Sequence, residues 1–507
     1  MSTTMRDPAE LANATRMIKN YIGGSFVEAN PVGTLDVTDP ATGATLARVP
    51  LSSKADVDTA VEAAREAFPG WRRTPTIERA RRLFTLREGL LQNVDRLAEL
   101  VTIDMGKTLP DAKAEVMRAV EMVECACAIP TTMQGRNLEN VATNVDCETY
   151  RQPIGVFAAI CPFNFPMMVP FWFMPFALAT GNCLIVKPSE QVPLAQEAVF
   201  EIIHELGIFP AGALSMVNGS REVVEALLDH PGIDGISFVG SANVAKLVYE
   251  RSAKAGKRVQ ALGGAKNHMV VMPDAVIEKT VEGVIGSAFG AAGQRCMAGS
   301  VMVTVGAAHD RIMPPLLEAA AKLKVGNGLA KGVGVGPLVS CDRRDAVRGW
   351  IDQGEAEGAT VLLDGRTDHG DNEAGAFVGP TILDDVTPSM AVAREEIFGP
   401  VLSVVRAESL DEAIEIVNAS RYGNGTSIFT ESGAAARRYR HDIDAGMIGV
   451  NVGVAAPVAF FPFSGWKDSF LGDLHAHGGD AVEFYTRKTT VTSRWFSEGE
   501  VGKFFVE

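Results

Sequence analysis

Cys296 stands in the stretch GQRCMAGS, between Arg295 and Met297, with FGAA before it and the alternating apolar run SVMVTV after it. A thiol at such a helix-to-strand junction has two readings. Most free cysteines are buried packing groups. Beside a positive charge the same side chain becomes a nucleophile, because the thiolate is the form that attacks. Four further stretches carry polar groups at loop tips. CPFNFP holds Asn164 in a proline-bounded turn, where its amide can donate to a developing oxyanion or close an Asx turn. KPSE sets Lys187 and Glu190 where an ammonium and a carboxylate can bracket a ribose, or pair on the surface. Gly240 and Ser241 of VGS open a helix whose free N–H groups suit a pyrophosphate, or need only an ordinary cap. REEIFGP offers Glu395 and Glu396 ahead of a strand, as chemistry or as a solvated acidic pair.

The elements around these tips are an alternation. From Ile154 onward, IGVFAAI, CLIVK, LSMVNG, GISFVG and RVQAL are short apolar strands separated by helical stretches. That pattern predicts parallel βαβ units with right-handed crossovers, which bind ligands beyond the carboxyl ends of their strands. A second α/β block, from about Gly263 to Val452, has strands HMVVM, SVMVTV, ATVLL, PVLSVV and TSIFT. The first 130 residues read as mainly helical, with one long run from Arg79 that stops at Gly106 and another from Asp111 that carries Val116, Val120, Val123 and Cys127 on one face. The tail FYTRKTTVTSRW alternates as a strand free to pair with a neighbouring subunit. No G-x-G-x-x-G follows the first strand, and GVGVGP near Gly332 reads as a loop.

Composition excludes several classes. A net charge of -15 over 507 residues leaves no basic face for general nucleic-acid binding. Seven cysteines, an odd number with no Cys-x-x-Cys pair, form neither a disulfide framework nor a zinc site, and Cys125 and Cys127 point apart on their helix. FPMMVPFWFMPFALATG contains three prolines and is shorter than the ~20 apolar residues of a membrane span, so it reads as a helix buried on all sides. The first residues lack the apolar core of a signal peptide, and a cytoplasmic location is expected.

In this order, PFNFP, KPSE, FVGS, Gly263-Gly264, GQRC, EEIFGP and PFSGWKDS resemble the aldehyde dehydrogenase superfamily over nearly the whole chain. The resemblance implies an α/β fold of three parts. These are a Rossmann-type NAD-binding domain (1–130 and 150–262), an α/β catalytic domain (263–452) and a small β oligomerisation arm (131–149 and 475–507). It implies Cys296 as nucleophile, with Asn164 and the Cys296 N–H as oxyanion hole. It further implies Lys187 and Glu190 on the adenosine ribose, Gly240 and Ser241 at the pyrophosphate, and Glu396 on the nicotinamide ribose. Ala245 departs from the Gly of many members. So does Ala261 in QALGGAKNH, where hydrolytic members carry the Glu that activates water. With QRCM, MPDA and GDLHAHG, that departure resembles the coenzyme A-acylating methylmalonate-semialdehyde dehydrogenases. This likeness implies NAD and coenzyme A as co-substrates, a small semialdehyde acid whose carboxylate meets Arg118 and Arg295, and a homodimer or homotetramer without nucleic-acid or membrane partners. Two other readings stay open: a hydrolytic NAD(P)-dependent enzyme using His268 or Glu396 as base, and a non-catalytic binding protein on the same scaffold.

Overall fold

The computed structural model describes residues 16–367, 370 and 372–496; residues 1–15 of the expected cofactor domain and 497–507 of the expected arm lie outside the described residues. Two large sheets carry the molecule. The first has eight strands in the order Ser25–Val27, Asn20–Ile22, Leu214–Met216, Cys183–Lys187, Val156–Ile160, Gly235–Val239, Arg258–Leu262, Phe470–Leu471. Its five central strands are parallel, and both edges are closed by antiparallel pairs. These central strands are buried on both faces, which is why they read as unbroken apolar runs rather than as alternation. Chain order proceeds one way from Val156–Ile160 and the other way from Gly235–Val239, so the crossovers diverge between these two neighbours. A crevice at such a switch point is where an open α/β sheet takes its ligand.

The second sheet has seven strands: Thr360–Leu363, Thr381–Asp384, Val401–Ala407, Gly299–Val305, Asn267–Val271, Gly425–Phe429, Met447–Val450. All its pairs are parallel except the first. A third, antiparallel sheet joins Thr486–Arg494, Val145–Pro153 and Asn137–Ala142. One wall of the site is the helix Leu109–Cys127, started by the Thr108 hydroxyl, which accepts from the Asp111 N–H at 3.3 Å, and by Pro110 in its first turn. The apolar stretch from Phe165 is the helix Met168–Thr180, buried on every side and ended by Gly181 in the left-handed region.

The structure corrects two of these readings. The long helical run stops and restarts at Asn93, giving Thr76–Gln92 and Val94–Met105, because the Asn93 amide turns back to donate to the Gly89 carbonyl at 2.8 Å. The mainly helical first 130 residues also hold four strands, including the hairpin Pro31–Thr38 with Thr45–Ser52, whose many polar positions hid its alternation. The terminal strand expected in FYTRKTTVTSRW runs Thr486–Arg494. Just before it, residues 478–485 dock on the first sheet, where the Tyr485 hydroxyl meets the Ser237 hydroxyl at 2.8 Å.

Asn182 fastens that docking. Fully buried, it accepts from the N–H groups of Ile154 and Gly155 at 2.8 and 2.9 Å and donates to Thr180 Oγ1 and the Tyr485 carbonyl at 2.8 Å each. Replacing it by Leu strands at least two buried backbone groups, each costing ~1–3 kcal/mol. Asn182→Leu is expected to lower the thermal unfolding midpoint by several degrees in differential scanning fluorimetry; an unchanged midpoint would show the tie to be dispensable.

Candidate active site

The two large sheets meet through opposite ends. Asn164 follows Val156–Ile160 and Gly240–Ser241 follows Gly235–Val239, at the carboxyl ends of the first sheet and at its switch point. The second sheet offers amino ends. Cys296 precedes Gly299–Val305, Glu396 precedes Val401–Ala407, Asn267 opens Asn267–Val271, and Asn424 precedes Gly425–Phe429.

The loop that delivers Cys296 is strained. Ala291, Ala292 and Gly293 follow one another at φ 49°, 52° and 69°, a region that residues with a side chain seldom enter. Only glycine fits at 293, since a Cβ there would lie 2.1 Å from the Gly399 carbonyl oxygen. This close approach locks the cysteine loop to the EIFGP segment that carries Glu396. The Cys296 carbonyl is held by two amides, Asn267 Nδ2 at 2.8 Å and Asn424 Nδ2 at 2.9 Å. Asn267 also donates to the Ala298 carbonyl and accepts from the Gly425 N–H, both at 3.0 Å.

Cys296 lies where two cavities meet. One, of about 260 Å³, is lined by Asn164, Gly240, Ser241, Gly264, Glu396 and Phe398, among others. The other, of about 230 Å³, is lined by Arg118, Trp172, Arg295, Phe463 and His477, among others. Burial, reinforced by the Glu396 carboxylate, pushes the Cys296 thiol up to about 12, against the pull of its own N–H, that of Met297, and Arg295. Burial likewise raises the Glu396 carboxyl to about 7, opposed by the Ala265 N–H, which donates to it at 3.1 Å, and by Lys266. His268 is buried and lowered to about 4, so it is neutral at physiological pH. Ala261 is fully buried within Arg258–Leu262, opposite Phe238 and Leu471, and Glu396 is the one carboxylate lining the first cavity among the described residues.

Asn164 is positioned by a buried ion pair. Lys107 Nζ lies 2.5 Å from Glu115 Oε2, donates to the Asn164 carbonyl at 2.8 Å, and sits 4.1 Å from the centre of the Phe165 ring. The other Glu115 oxygen accepts from the N–H groups of Met167 and Met168 at 2.8 and 3.0 Å. One ion pair thus bolts the whole PFNFP turn to the helix Leu109–Cys127.

The structure brings Arg118 and Arg295 to the wall of the second cavity, each already paired. Arg295 Nη2 lies 2.7 Å from Asp111 Oδ1; Arg118 Nη1 lies 2.5 Å from Glu121 Oε2, and its Nη2 donates to the Pro457 carbonyl. Lys187 and Glu190 form an ion pair at 2.7 Å with the lysine buried. They stand outside the lining of either Cys296 cavity: Lys187 ends the strand next to Val156–Ile160, level with Ile160, and Glu190 lies in the turn after it. Sequence reasoning missed Lys107, Glu115, Asn424 and the arginines' partners Asp111 and Glu121. The signal for Glu115 was present, because it is a charge beside Val116 on the apolar face of its helix.

The aldehyde dehydrogenase family model matches residues 26–491. Malonate-semialdehyde dehydrogenase 2 of Geobacillus kaustophilus is 50% identical over 485 residues, 96% of this chain and 100% of the relative. The crystal structure of methylmalonate-semialdehyde dehydrogenase from Oceanimonas doudoroffii superposes with a TM-score of 0.93 at 43% identity, covering 96% of this chain and 99% of the other. A Sinorhizobium meliloti structure complexed with NAD gives 0.93 at 40% identity, covering 96% and 99%.

With its thiol pushed up to about 12, Cys296 carries little thiolate at neutral pH. Its alkylation by iodoacetamide in the free protein is expected to rise about tenfold per pH unit between about pH 7 and 9, following the thiolate fraction. Peptide mass spectrometry of Cys296 measures this; a rate that levels off in that window would mean the thiol is already ionised.

Proposed function

The chain belongs to the aldehyde dehydrogenase family, and from that premise we propose that it oxidises 3-oxo acids, malonate semialdehyde and (S)-methylmalonate semialdehyde, with NAD. The carboxyl group is lost and the acyl group passes to coenzyme A, as acetyl-CoA or propionyl-CoA. One observation carries the reading: two arginines line the cavity that ends at Cys296, while Ala261 stands where a water-activating carboxylate would be.

Cys296 is the proposed nucleophile, suited because sulfur attacks carbonyl carbon well and later leaves well. The Asn164 amide, with the Cys296 N–H, donates to the oxygen that becomes negative on attack. Arg118 and Arg295 grip the substrate carboxylate; a guanidinium offers two parallel donors, and each retains capacity beside its own carboxylate. Once the aldehyde carbon is a thioester, the carboxylate is β to a carbonyl, and its loss leaves an enolate that the same donors stabilise.

The other cavity fits a dinucleotide. A Cβ at Gly264 would lie 2.6 Å from Glu396 Oε2 and one at Gly240 would lie 2.5 Å from the Phe238 ring, so glycine keeps the crevice open beside Ser241 and the start of the helix Ala242–Lys254. Ser241 would meet the pyrophosphate, Glu396 the nicotinamide ribose, and the Lys187–Glu190 pair the adenosine ribose. A nicotinamide held there would supply the hydride acceptor. NAD is preferred over NADP, because Glu190 repels a 2′-phosphate. We assign the first sheet and its helices to the cofactor domain, the second sheet to the catalytic domain and the three-stranded sheet to contacts within a homo-oligomer, dimer or tetramer. No helix among the described residues is long and apolar enough to cross a membrane, and the proposed location is the cytoplasm.

A positioned base contributes ~100- to 10,000-fold to attack by water, so without one the acyl-enzyme waits for a thiol. The test is NADH formation from each semialdehyde, with and without coenzyme A. Without it, a burst of about one NADH per active site followed by a slow rate is expected; with it, steady turnover and acyl-CoA. Fast steady turnover to free acetate or propionate without coenzyme A would reverse the assignment in favour of hydrolysis.

A second prediction concerns the carboxylate grip. Arg118→Leu is expected to raise KM for semialdehyde acids at least ~10-fold more than for propanal, since a charge-assisted hydrogen bond contributes ~1.5–3 kcal/mol. Equal effects on both would make Arg118 a structural residue through Glu121 and Pro457.

A further inference from the structure

His477 takes part in none of these steps, yet its ring lines the cavity that ends at Cys296. It is 1% exposed, with its ring centre 5.5 Å from that of Trp172 and 6.1 Å from that of Phe463. Its Nδ1 lies 2.8 Å from the Phe461 carbonyl oxygen. A carbonyl only accepts, so Nδ1 carries the hydrogen. Burial, with Arg118 nearby, lowers the ring to about 4, so it is neutral at physiological pH and Nε2 keeps its lone pair. Among the described residues Nε2 has no hydrogen-bond partner. The backbone at His477 is held at φ 45°, ψ -170°, a conformation that side-chain-bearing residues avoid and that persists at ligand sites. It is fixed by the Gly478 N–H on the Ala459 carbonyl at 3.0 Å and the Ala481 N–H on its own carbonyl at 3.2 Å.

The cavity therefore offers a fixed, neutral hydrogen-bond acceptor beside two guanidinium groups. The guanidiniums supply donors for a carboxylate, and a carboxylate has nothing to give Nε2. A ligand that also bears an ammonium would meet two like charges. A ligand hydroxyl meets neither objection: it is neutral and donates. Accepting the site as one for 3-oxo acids, we propose that it also takes 3-oxo acids carrying a hydroxyl at C2, and that His477 Nε2 accepts from that hydroxyl.

The chemistry follows the same course. Cys296 sulfur bonds to C3 of the aldehyde and its proton leaves to solvent. The C3 hydrogen departs as hydride to NAD, and a hydroxymalonyl thioester remains on the sulfur. The C1–C2 bond breaks, carbon dioxide leaves, and the electron pair left on C2 takes a proton from solvent. The thiol of coenzyme A then displaces Cys296, giving hydroxyacetyl-CoA and the free thiol. The hydroxyl is conserved throughout.

The test compares 2-hydroxy-3-oxopropanoate with 3-oxopropanoate on the full-length protein with NAD and coenzyme A, following NADH and the mass of the acyl-CoA product. Wild type is expected to form hydroxyacetyl-CoA. In His477→Phe, which keeps a flat ring and deletes the acceptor, the kcat/KM ratio of hydroxylated to plain substrate should fall about tenfold, the effect of one lost hydrogen bond. His477→Gln, whose side-chain oxygen can accept, should recover part of the ratio; this variant also serves if the Phe variant does not fold. Acetyl-CoA without any hydroxyacetyl-CoA from wild type, or a ratio unchanged in both variants, would overturn the inference alone. Turnover of neither acid would overturn the 3-oxo acid reading on which it rests.

Discussion

Two amide nitrogens converge on one carbonyl oxygen, that of Cys296, and the geometry of both cavities depends on them. Asn267 and Asn424 belong to the amino ends of two strands that pair in parallel, so the sheet's own register sets the distance between the two donors. Holding the carbonyl fixes the peptide units on either side of it, and the N–H groups of Cys296 and Met297 are left directed at the sulfur. The preceding turn could not do this by itself. Two alanines in the left-handed region are costly, at ~1–3 kcal/mol each, and stay there only because surrounding structure over-determines them.

A second constraint comes from the first sheet. The PFNFP turn has the stiffness of two prolines, Pro162 and Pro166, but few backbone hydrogen bonds of its own, and it must present Asn164 into the crevice. The Lys107–Glu115 pair answers this with three hydrogen bonds from one buried pair of charges. Burying both charges is expensive, and an apolar pair of the same volume is often as stable. Such a pair would leave the Asn164 carbonyl and the N–H groups of Met167 and Met168 without partners. The pair is better understood as positioning than as stabilisation, since deleting either member strands the other.

Much of this was legible in the residues. The strands from Ile154 to Leu262 announced themselves because both of their faces are covered, and the tips at their carboxyl ends followed from parallel topology. The family resemblance then drew Cys296, Asn164, Gly240, Ser241 and Glu396 together, and the structure has all five lining one cavity. The parts that were not legible depend on distance in the fold rather than on local pattern. Asn267 is 158 residues from its partner Gly425, and Asn424 is 128 residues from its partner Cys296. Asp111 was visible only as a helix-start residue, and nothing local shows that it faces Arg295. The docking of residues 478–485 was equally hidden: they are near the terminal strand in sequence, but Asn182 and Ser237 hold Tyr485 on the first sheet.

The ionisable groups around the sulfur share a direction. Burial drives Cys296, Glu396 and His477 toward their neutral forms, and Lys266, lowered to about 7, follows them. The guanidiniums of Arg118 and Arg295 are each matched by a carboxylate, as the Lys107 ammonium is by Glu115. A buried site whose charges are already paired stabilises little before its ligands arrive, and that sharpens its response to the charge they bring. In such surroundings a fixed dipole acts on a developing oxyanion far more strongly than it would in water. The same burial bears on the acyl group. Ala261, fully buried in its strand, has no carboxylate to offer a water molecule. The fate of the proposed thioester is therefore set less by a group that assists coenzyme A than by the absence of one that assists water.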